Sequence, residues 1–317
     1  MAHIGTTSSY SMHIISRPRF QSFVLLFLFL TTALSAQAQR RALVFQSDFG
    51  LKDAAVGAMK GVAFGVSSDI AIFDLTHEIP AFDIWEASYR LGQAAAYWPK
   101  GTVFVSIIDP GVGSSRRSVV ARTKTGHFIV TPDNGTLTHV AESLGIDEVR
   151  EIDEAKNRLT NSNESYTFHG RDVYAYTGAR LASGTIAFEE VGPAYTGGVV
   201  LISYQKATFS SGEVIGGIPV LDIQYGNVWT NVDKTTFSKL GAGTGDWLQV
   251  KIVHKGKVVY NERVKFVETF ATVEKGKDLG YLNSLLNFSL AINLGNFSQT
   301  HQVFSGSDWT ISIKKSQ

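Results

Sequence analysis

The hydrophobic and polar positions of this chain change their period near residue 195. Before that point, short apolar runs alternate with stretches in which apolar residues recur every three or four positions. This alternation is typical of strands followed by helices, and it favours an α/β domain with a mainly parallel sheet. The predicted strands are 42–45, 70–73, 103–108, 118–122 and 128–130, and the predicted helices are 53–66, 83–97 and 171–182.

Beyond residue 195 the apolar runs are short and are separated by glycine and turn residues. No helix of three turns is predicted in this part, which favours an all-β domain of barrel or sandwich type. We therefore predict an α/β domain over 39–198 and a β-rich domain over 207–317, with the boundary near Gly192 to Gly212. The predicted strand segments include 199–204, 214–220, 248–253 and 257–260.

One N-terminal segment departs from this pattern. The apolar run FVLLFLFL at 23–30 follows Arg17 and Arg19 and leads to an A-Q-A sequence that ends at Ala38. A basic start, a short apolar core and an A-x-A end are typical of a secretory signal peptide. The alternative, a membrane anchor, needs about 20 apolar residues. We expect residues 1–38 to be a signal peptide and the protein to be exported to the periplasm or secreted.

Composition excludes several kinds of chemistry. The 317 residues carry 29 Lys and Arg against 28 Asp and Glu, a formal net charge of +1. Because residues 1–38 hold two arginines and no acid, the exported chain is expected to have a net charge of −1. This balance predicts no nucleic-acid partner, and no later stretch is apolar enough to span a membrane. Cysteine is absent, which excludes disulfides, thiolate metal sites and a cysteine nucleophile.

Polar, glycine-rich motifs follow the predicted strands. SDFG at 47–50 follows the first strand, DPGVG at 109–113 the third and PDNG at 132–135 the fifth, while TFHGRD at 167–172 opens the last helix. Ligands bind at the carboxyl ends of strands in open α/β sheets, so these loops are expected to converge. The GVG sequence does not extend to GxGxxG, so no dinucleotide site is predicted. The histidines lack zinc-binding spacing, and no metal site is predicted.

Six motifs in one order resemble the S-adenosylmethionine hydroxide adenosyltransferases, the hydrolytic relatives of fluorinase and chlorinase enzymes. The resemblance covers essentially everything after the signal peptide. The motifs are SDFGLKDAAVGAMKGV (47–62), DLTHEIPAFDIWEAS (74–88), IIDPGVGSSRR (107–117), TPDNGTLT (131–138), TFHGRDVYAYTGARLA (167–182) and YGNVWTNV (225–232).

This resemblance implies a fold, an assembly and a reaction. The fold would be an α/β domain followed by a C-terminal β-barrel-like domain. The chain would form a homotrimer, with each site between the N-terminal domain of one subunit and the C-terminal domain of its neighbour. Water or hydroxide would attack ribose C5′ of S-adenosylmethionine, releasing methionine and forming adenosine. No cofactor is implied, since S-adenosylmethionine is the substrate.

The resemblance also assigns residues. The hydrolytic triad falls on Asp109, Arg116 and His169. Asp48 matches the ribose-binding carboxylate, although a turn or cap role stays open for it. The implied substrate-binding residues are Asp48, Phe82, Phe168, Asp222, Asn227, Phe270 and Ser284.

Two positions separate a hydrolase from a halogenase. The fluorinase has Tyr at the position of Asp109 and Tyr-Ser at the position of His169-Gly170. A carboxylate repels a halide, whereas a water nucleophile needs an acceptor, so hydroxide transfer is predicted. Two alternatives stay open: a non-catalytic exported nucleoside-binding protein, because S-adenosylmethionine is cytosolic, and a structural role for the Asp109–Arg116 ion pair.

Overall fold

The computed structural model describes residues 1–3, 5–9 and 41–316. The apolar run and the cleavage point of the expected signal peptide fall between residues 10 and 40, outside the described residues. All the elements below belong to one compact unit, Arg40–Gln317. Within the described ranges, no helix is long and apolar enough to cross a membrane.

A six-stranded sheet forms the N-terminal half. Its order is β2-β1-β3-β5-β4-β6, with parallel pairing from β2 to β5 and antiparallel pairing of β4 with β5 and β6. The predicted mainly parallel sheet is confirmed, with an antiparallel edge. The strands are β1 (Ala42–Ser47), β2 (Ala71–Thr76), β3 (Val103–Ile107), β4 (Ser118–Thr123), β5 (Phe128–Pro132) and β6 (Ile146–Glu151).

Helices cover both faces of this sheet, because β1, β3 and β5 are apolar on both sides and are buried along their length. Asp83 caps the second predicted helix by accepting from Glu86 N at 2.8 Å. Asp53 lies one residue before the N-cap Ala54 of the first helix and accepts from Ala55 N at 2.8 Å. The helices are α1 (Ala55–Val66), α2 (Ile84–Ala95), α3 (Thr138–Ser143), α4 (Glu154–Asn157) and a π-helical turn (Gly170–Ala175) that continues into α5 (Tyr176–Ser183).

The C-terminal half is a nine-stranded sheet in the order β7-β8-β15-β11-β12-β13-β14-β10-β9. Its pairs are antiparallel except β12 with β13. The strand order begins at β7 and ends at β9, so closure of this sheet into a barrel stays a prediction. The strands are β7 (Thr208–Ser210), β8 (Glu213–Ile218), β9 (Val220–Asp222), β10 (Asn227–Asp233), β11 (Trp247–His254), β12 (Lys257–Phe266), β13 (Asp278–Leu282), β14 (Asn287–Ile292) and β15 (Gly306–Lys315), with short helices α6 (Lys234–Ser238) and α7 (Phe297–His301).

The strand predicted at 199–204 is wrong. This segment is irregular, because its backbone donors are taken by side chains of the N-terminal half. Val200 N donates to Asp133 Oδ1 at 2.7 Å, and Ile202 N donates to Thr138 Oγ1 at 3.0 Å. The segment therefore runs along the α/β half as a linker instead of joining a sheet.

Helix α2 ties the two halves together. Trp85 Nε1 donates to Pro219 O, and Arg90 Nη2 donates to Leu221 O, both at 2.8 Å. Pro219, which cannot donate to a ladder, lies between β8 and β9 and ends the strand predicted over 214–220. A cavity of about 350 Å³ lies at this junction, lined by residues of α2, α3, the linker and the C-terminal sheet.

His139 at this junction is expected to make stability depend on pH. Its ring lies 4.6 Å from Trp85 and 5.3 Å from Tyr89 and Tyr204, and burial lowers its pKa to about 4. An unfolded histidine binds a proton below about pH 6.5, whereas the folded ring resists protonation down to about pH 4. Above about pH 6.5 the ring is neutral in both states, so His139 does not reduce the free energy of unfolding there. This free energy should fall by roughly 2–3 kcal/mol between pH 7 and pH 4 on this account.

Urea unfolding at both pH values and fixed protein concentration measures this fall. His139→Gln is the matched variant, since it removes the titrating ring and leaves the acidic residues unchanged. Equal pH dependence in the two proteins would contradict the assignment to His139.

Candidate functional site

A pocket of about 230 Å³ opens at the carboxyl ends of β1 and β3, and we call it the N-terminal pocket. It brings together five of the predicted site residues, which come from four loops. Strand ends and loop motifs thus converge as expected for an open α/β sheet. Its lining residues are Asp48, Phe49, Ala81, Phe82, Ile107, Asp109, Val112, Thr167, Phe168, His169 and Gly170.

Asp109 and Arg116 form a buried ion pair at the rim of β3 and β4. The side chains are 5% and 11% exposed, and Arg116 Nε lies 2.9 Å and 3.1 Å from the two carboxylate oxygens. Arg116 Nη2 also donates to Asp109, and Nη1 donates to Ser118 Oγ at 2.9 Å. Burial is the largest cause acting on the pKa of Arg116 and lowers it, but the hydrogen bonds to Asp109 together with electrostatic interactions with Tyr174, Asp109 and Glu154 outweigh burial and raise the pKa. Arg116 is therefore a cation that these hydrogen bonds hold in one geometry.

Tyr174 lies behind this pair and was not predicted from the sequence. Its hydroxyl is 3.5 Å from Asp109 Oδ2 and 3.1 Å from Ser118 Oγ. Burial, followed by the charge of Asp109, raises the pKa of Tyr174 far above its ordinary value, so the hydroxyl stays protonated and can donate. The sequence feature that could have identified Tyr174 is its position, five residues after His169 in the TFHGRDVYAYTG motif.

His169 completes the predicted triad. Its Nδ1 lies 3.0 Å from Arg116 Nη2, and it stands at the start of the π-helical turn, which presents the ring to the pocket. Burial is the largest cause that lowers its pKa; Glu154 and Asp109 act to raise it, and the neighbouring arginines Arg116 and Arg158 lower it. His169 is therefore neutral at pH 7.

The glycine that follows His169 is required by close packing. A Cβ at Gly170 would lie 3.1 Å from Phe49 and 3.3 Å from Phe168. These two aromatic rings meet edge to face at 5.8 Å and form the apolar wall of the pocket. A serine at this position would have to displace that wall.

Asp48 holds the opposite side of the pocket. Its Oδ2 accepts from Phe82 N at 2.9 Å, and Phe82 adopts a positive φ of 69° with its ring 70% exposed. A non-glycine residue in this region is strained and persists where neighbouring contacts hold it. One carboxylate oxygen of Asp48 thus accepts from the backbone. The structure is therefore compatible with both a turn or cap role and a ribose-binding role for this residue.

A buried network supports the loop that carries Asp48. Ser47 Oγ lies 2.7 Å from His77 Nδ1, and His77 Nε2 lies 3.1 Å from Asp74 Oδ1. Ser47 is fully buried and accepts from Phe49 N at 3.3 Å. This Ser-His-Asp arrangement therefore positions the loop instead of supplying a nucleophile. The sequence signal for it was the DLTH motif at 74–77.

A second pocket, the C-terminal pocket, lies on the β-rich half and measures about 490 Å³. It contains Asn227 and Phe270. Asn227 Nδ2 donates to Asp222 Oδ2 at 3.3 Å, so Asp222 orients the amide. Its lining residues are Gln224, Tyr225, Asn227, Phe270, Ile292, Asn293, Leu294, Gly295 and Asn296.

The two pockets share no lining residue. Ser284 is exposed in the turn between β13 and β14 and lies in neither pocket, while its neighbour Leu285 lines the junction cavity. Within one chain the structure thus groups the predicted residues into an N-terminal set around Asp109, a C-terminal set around Asn227, and Ser284 apart. In the part of the chain that is described, no group of three or more His, Asp and Glu side chains is placed to hold a metal ion.

Comparison with known proteins identifies relatives across both halves. Residues 43–192 match the model of the SAM hydroxide adenosyltransferase N-terminal domain, and residues 216–310 match that of the C-terminal domain. The chain is 36% identical over 244 residues to the (R)-S-adenosyl-L-methionine hydrolase of Methanocaldococcus jannaschii, covering 75% of this chain and 83% of the relative.

Two further similarities extend over more of the chain. A fluorinase of Actinoplanes sp. is 28% identical over 294 residues, covering 85% of this chain and 96% of the relative. The crystal structure of an uncharacterized conserved protein from Thermotoga maritima superposes with a TM-score of 0.77 at 34% identity. That comparison covers 86% of this chain and all of the other.

Proposed function

This chain belongs to the SAM hydroxide adenosyltransferase family, and from that membership we propose that it hydrolyses S-adenosyl-L-methionine to adenosine and L-methionine. The observation that carries the proposal is the buried Asp109 carboxylate, which lines the N-terminal pocket together with His169 and is paired with Arg116. A fixed acceptor of this kind suits a water nucleophile, whereas it would repel a halide.

The proposed chemistry is one displacement at ribose C5′. The water oxygen forms the new bond to C5′ while the bond from C5′ to sulfur breaks, and its electron pair stays on sulfur. Because the sulfonium departs as a neutral thioether, no acid is needed for the leaving group. The Asp109 carboxylate accepts the proton that the water loses, and Arg116 holds that carboxylate in place. Neutral His169 orients the water, so positioning supplies much of the rate enhancement.

We assign the remaining residues by pocket. Asp48 binds the ribose hydroxyls with the oxygen that Phe82 N does not occupy, and Phe82 and Phe168 flank the ribose and the sulfonium. In the C-terminal pocket, Asp222 and Asn227 contact the methionine amine and the adenine, and Phe270 packs on the adenine. Ser284 is assigned to the methionine carboxylate. No cofactor takes part in this scheme.

The test incubates the purified protein with S-adenosylmethionine, presented as each sulfonium epimer, and follows adenosine and methionine by chromatography. Adenosine release from either epimer supports the proposal. Tight adenosine binding in calorimetry without turnover would instead support the nucleoside-binding alternative. Formation of a 5′-halo-adenosine in chloride or fluoride would support a halogenase.

We further propose that the chain works as a homotrimer in which the N-terminal pocket of one subunit faces the C-terminal pocket of the next. The separation of the two residue sets within one chain supports this arrangement. Exposed apolar side chains beside each pocket support it as well, since such side chains mark contact surfaces. They are Leu51 and Phe82 on one side, and Ile223, Tyr225 and Leu294 on the other.

Complementation between inactive subunits is expected if the site is shared. Asp109→Asn removes the N-terminal half of the site and Asn227→Ala the C-terminal half. Co-expressed subunits that assemble at random should then recover about a quarter of wild-type activity, because a site works where an intact N-terminal half meets an intact C-terminal half across a heterologous interface. The specific activity of the unfractionated co-expressed protein measures this. Activity no higher than that of either variant alone would show that each chain builds its own site.

We also propose that the protein is exported after cleavage at Ala38, on the strength of the apolar run at 23–30 and its flanking residues. Mass measurement of the protein recovered outside the producing cytoplasm should give a chain that begins at Gln39. A full-length chain retained in the cytoplasm would contradict export.

A further inference from the structure

Arg158 is a buried cation in contact with His169 of the N-terminal pocket, and no motif of the sequence pointed to it. It follows α4, and its side chain is 6% exposed. Nη2 lies 3.1 Å from His169 Nε2, Nε lies 3.3 Å from Glu154 Oε2, and the guanidinium carbon lies 4.8 Å from the centre of the Tyr166 ring. Taking an arginine out of water is costly, so this placement requires an explanation.

His169 stands between two guanidinium groups. Arg116 Nη2 approaches its Nδ1 at 3.0 Å, and Arg158 Nη2 approaches its Nε2 at 3.1 Å. Arginine only donates hydrogen bonds, and a neutral imidazole has one lone pair to accept them. The ring can therefore accept from only one of the two arginines. Because Arg116 Nη2 also donates to Asp109, we place the lone pair on Nε2, where it accepts from Arg158, and a second proton on that nitrogen would face a cation.

The two arginines differ in how much they depend on His169. Arg116 has the oxygens of Asp109 and Ser118 as acceptors. The terminal nitrogens of Arg158 have fewer acceptors. Nη1 is buried without a hydrogen-bond partner in the described structure, and the partner of Nη2 is the imidazole. A buried donor without an acceptor is unfavourable, so the contact to His169 holds the terminal nitrogens of Arg158, while Glu154 holds its Nε.

We propose that Arg158 is a positioning residue of the hydrolytic site, which fixes the orientation and the uncharged state of His169 from the edge opposite Arg116. This proposal rests on the proposed function for its catalytic consequence, and on the contact geometry for the interaction itself. The charged and titratable groups around the ring are Asp109, Arg116, Glu154, Arg158 and Tyr166. Burial lowers the pKa of His169, the two arginines add to that effect, and Glu154 and Asp109 oppose it.

Three variants separate this role from a purely structural one. Arg158→Gln removes the positive charge, and Arg158→Lys keeps the charge but lacks the planar guanidinium. Glu154→Gln removes the carboxylate that raises the pKa of His169. Nuclear magnetic resonance of histidine-labelled protein follows the His169 titration, with the signal assigned by its loss in His169→Asn. We expect the pKa of His169 to rise in Arg158→Gln, to stay near the wild-type value in Arg158→Lys and to fall in Glu154→Gln.

Kinetics supply the second readout. Arg158→Gln should lower kcat by about tenfold or more, as loss of a supporting hydrogen-bond partner commonly does, with KM within about twofold. The acid limb of the kcat profile should move to higher pH, and Arg158→Lys should restore that limb. A lower melting temperature with unchanged kcat per folded enzyme and an unchanged pH profile would overturn the proposal.

The two possible failures are distinguishable. An unmoved His169 titration in Arg158→Gln and Glu154→Gln overturns the Arg158 contact, whether or not the enzyme turns over. Absence of turnover in the wild-type protein overturns the proposed function and the catalytic role of Arg158, while the titration still reports the contact. If Arg158→Gln does not fold, Glu154→Gln and Arg158→Lys decide the outcome through the same titration.

Discussion

Replacing Asp109 by asparagine is expected to lower kcat for adenosine formation by about 10²- to 10⁴-fold and to leave KM within about threefold of the wild-type value. The amide keeps the size of the side chain but removes the basic oxygens that hold the water and accept its proton. Because Asp109 acts on the nucleophile, substrate binding should change little. Initial rates of adenosine release over a range of substrate concentrations separate the two parameters.

The chain offers a matched control in the neighbouring pair Arg117–Asp133. Asp133 is 1% exposed, lies 2.8 Å from Arg117 Nη2 and also accepts from Val200 N. Asp133→Asn therefore removes a buried, arginine-paired carboxylate of equal chemistry outside the pocket. It should reduce stability without the large fall in kcat. If both variants lose activity equally, Asp109 is a structural residue and the ion-pair alternative stands.

Replacing Arg116 by methionine is expected to lower the free energy of unfolding by about 3–5 kcal/mol. Methionine fills most of the volume, but it leaves the Asp109 carboxylate buried without its counter-charge. Adding Asp109→Asn to this variant should restore part of the stability, because the uncompensated charge is then gone. Urea unfolding of the two single variants and the double variant gives the coupling energy.

The control for this stability effect is Arg122→Met. Arg122 pairs with Asp147 and Glu148, both at 2.8 Å, where its own side chain is 30% exposed and those of its partners 50% and 29%. Partly exposed pairs contribute about 0–1 kcal/mol each, so Arg122→Met should lose clearly less stability than Arg116→Met and keep full activity. An Arg116→Met protein as stable as Arg122→Met would contradict a buried, charge-locked pair at Asp109.

Periodicity predicted five of the six strands and the longer helices of the α/β half, but not β6 or the short helices α3 and α4. The apolar runs that become β1, β3 and β5 are buried on both faces, and such runs admit few other structures. Asp83 marked the start of α2 because capping is a local interaction, and Asp53 lies just before α1 and bonds to its first residue. Periodicity failed at 199–204, where the donors of Val200 and Ile202 find side-chain acceptors that lie more than sixty residues away in sequence.

The sequence by itself determined the two halves, the loops that carry the polar residues and the family resemblance, because these depend on local patterns and on motif order. The tertiary structure alone decided which of those residues meet: Asp109 and His169 line one pocket and Arg116 contacts both of them, whereas Asn227 and Phe270 lie in another pocket. It also brought in Tyr174 and Arg158. Their contacts are made by side chains 65 and 11 residues away from their partners, and burial gives those contacts their strength, which no local pattern records.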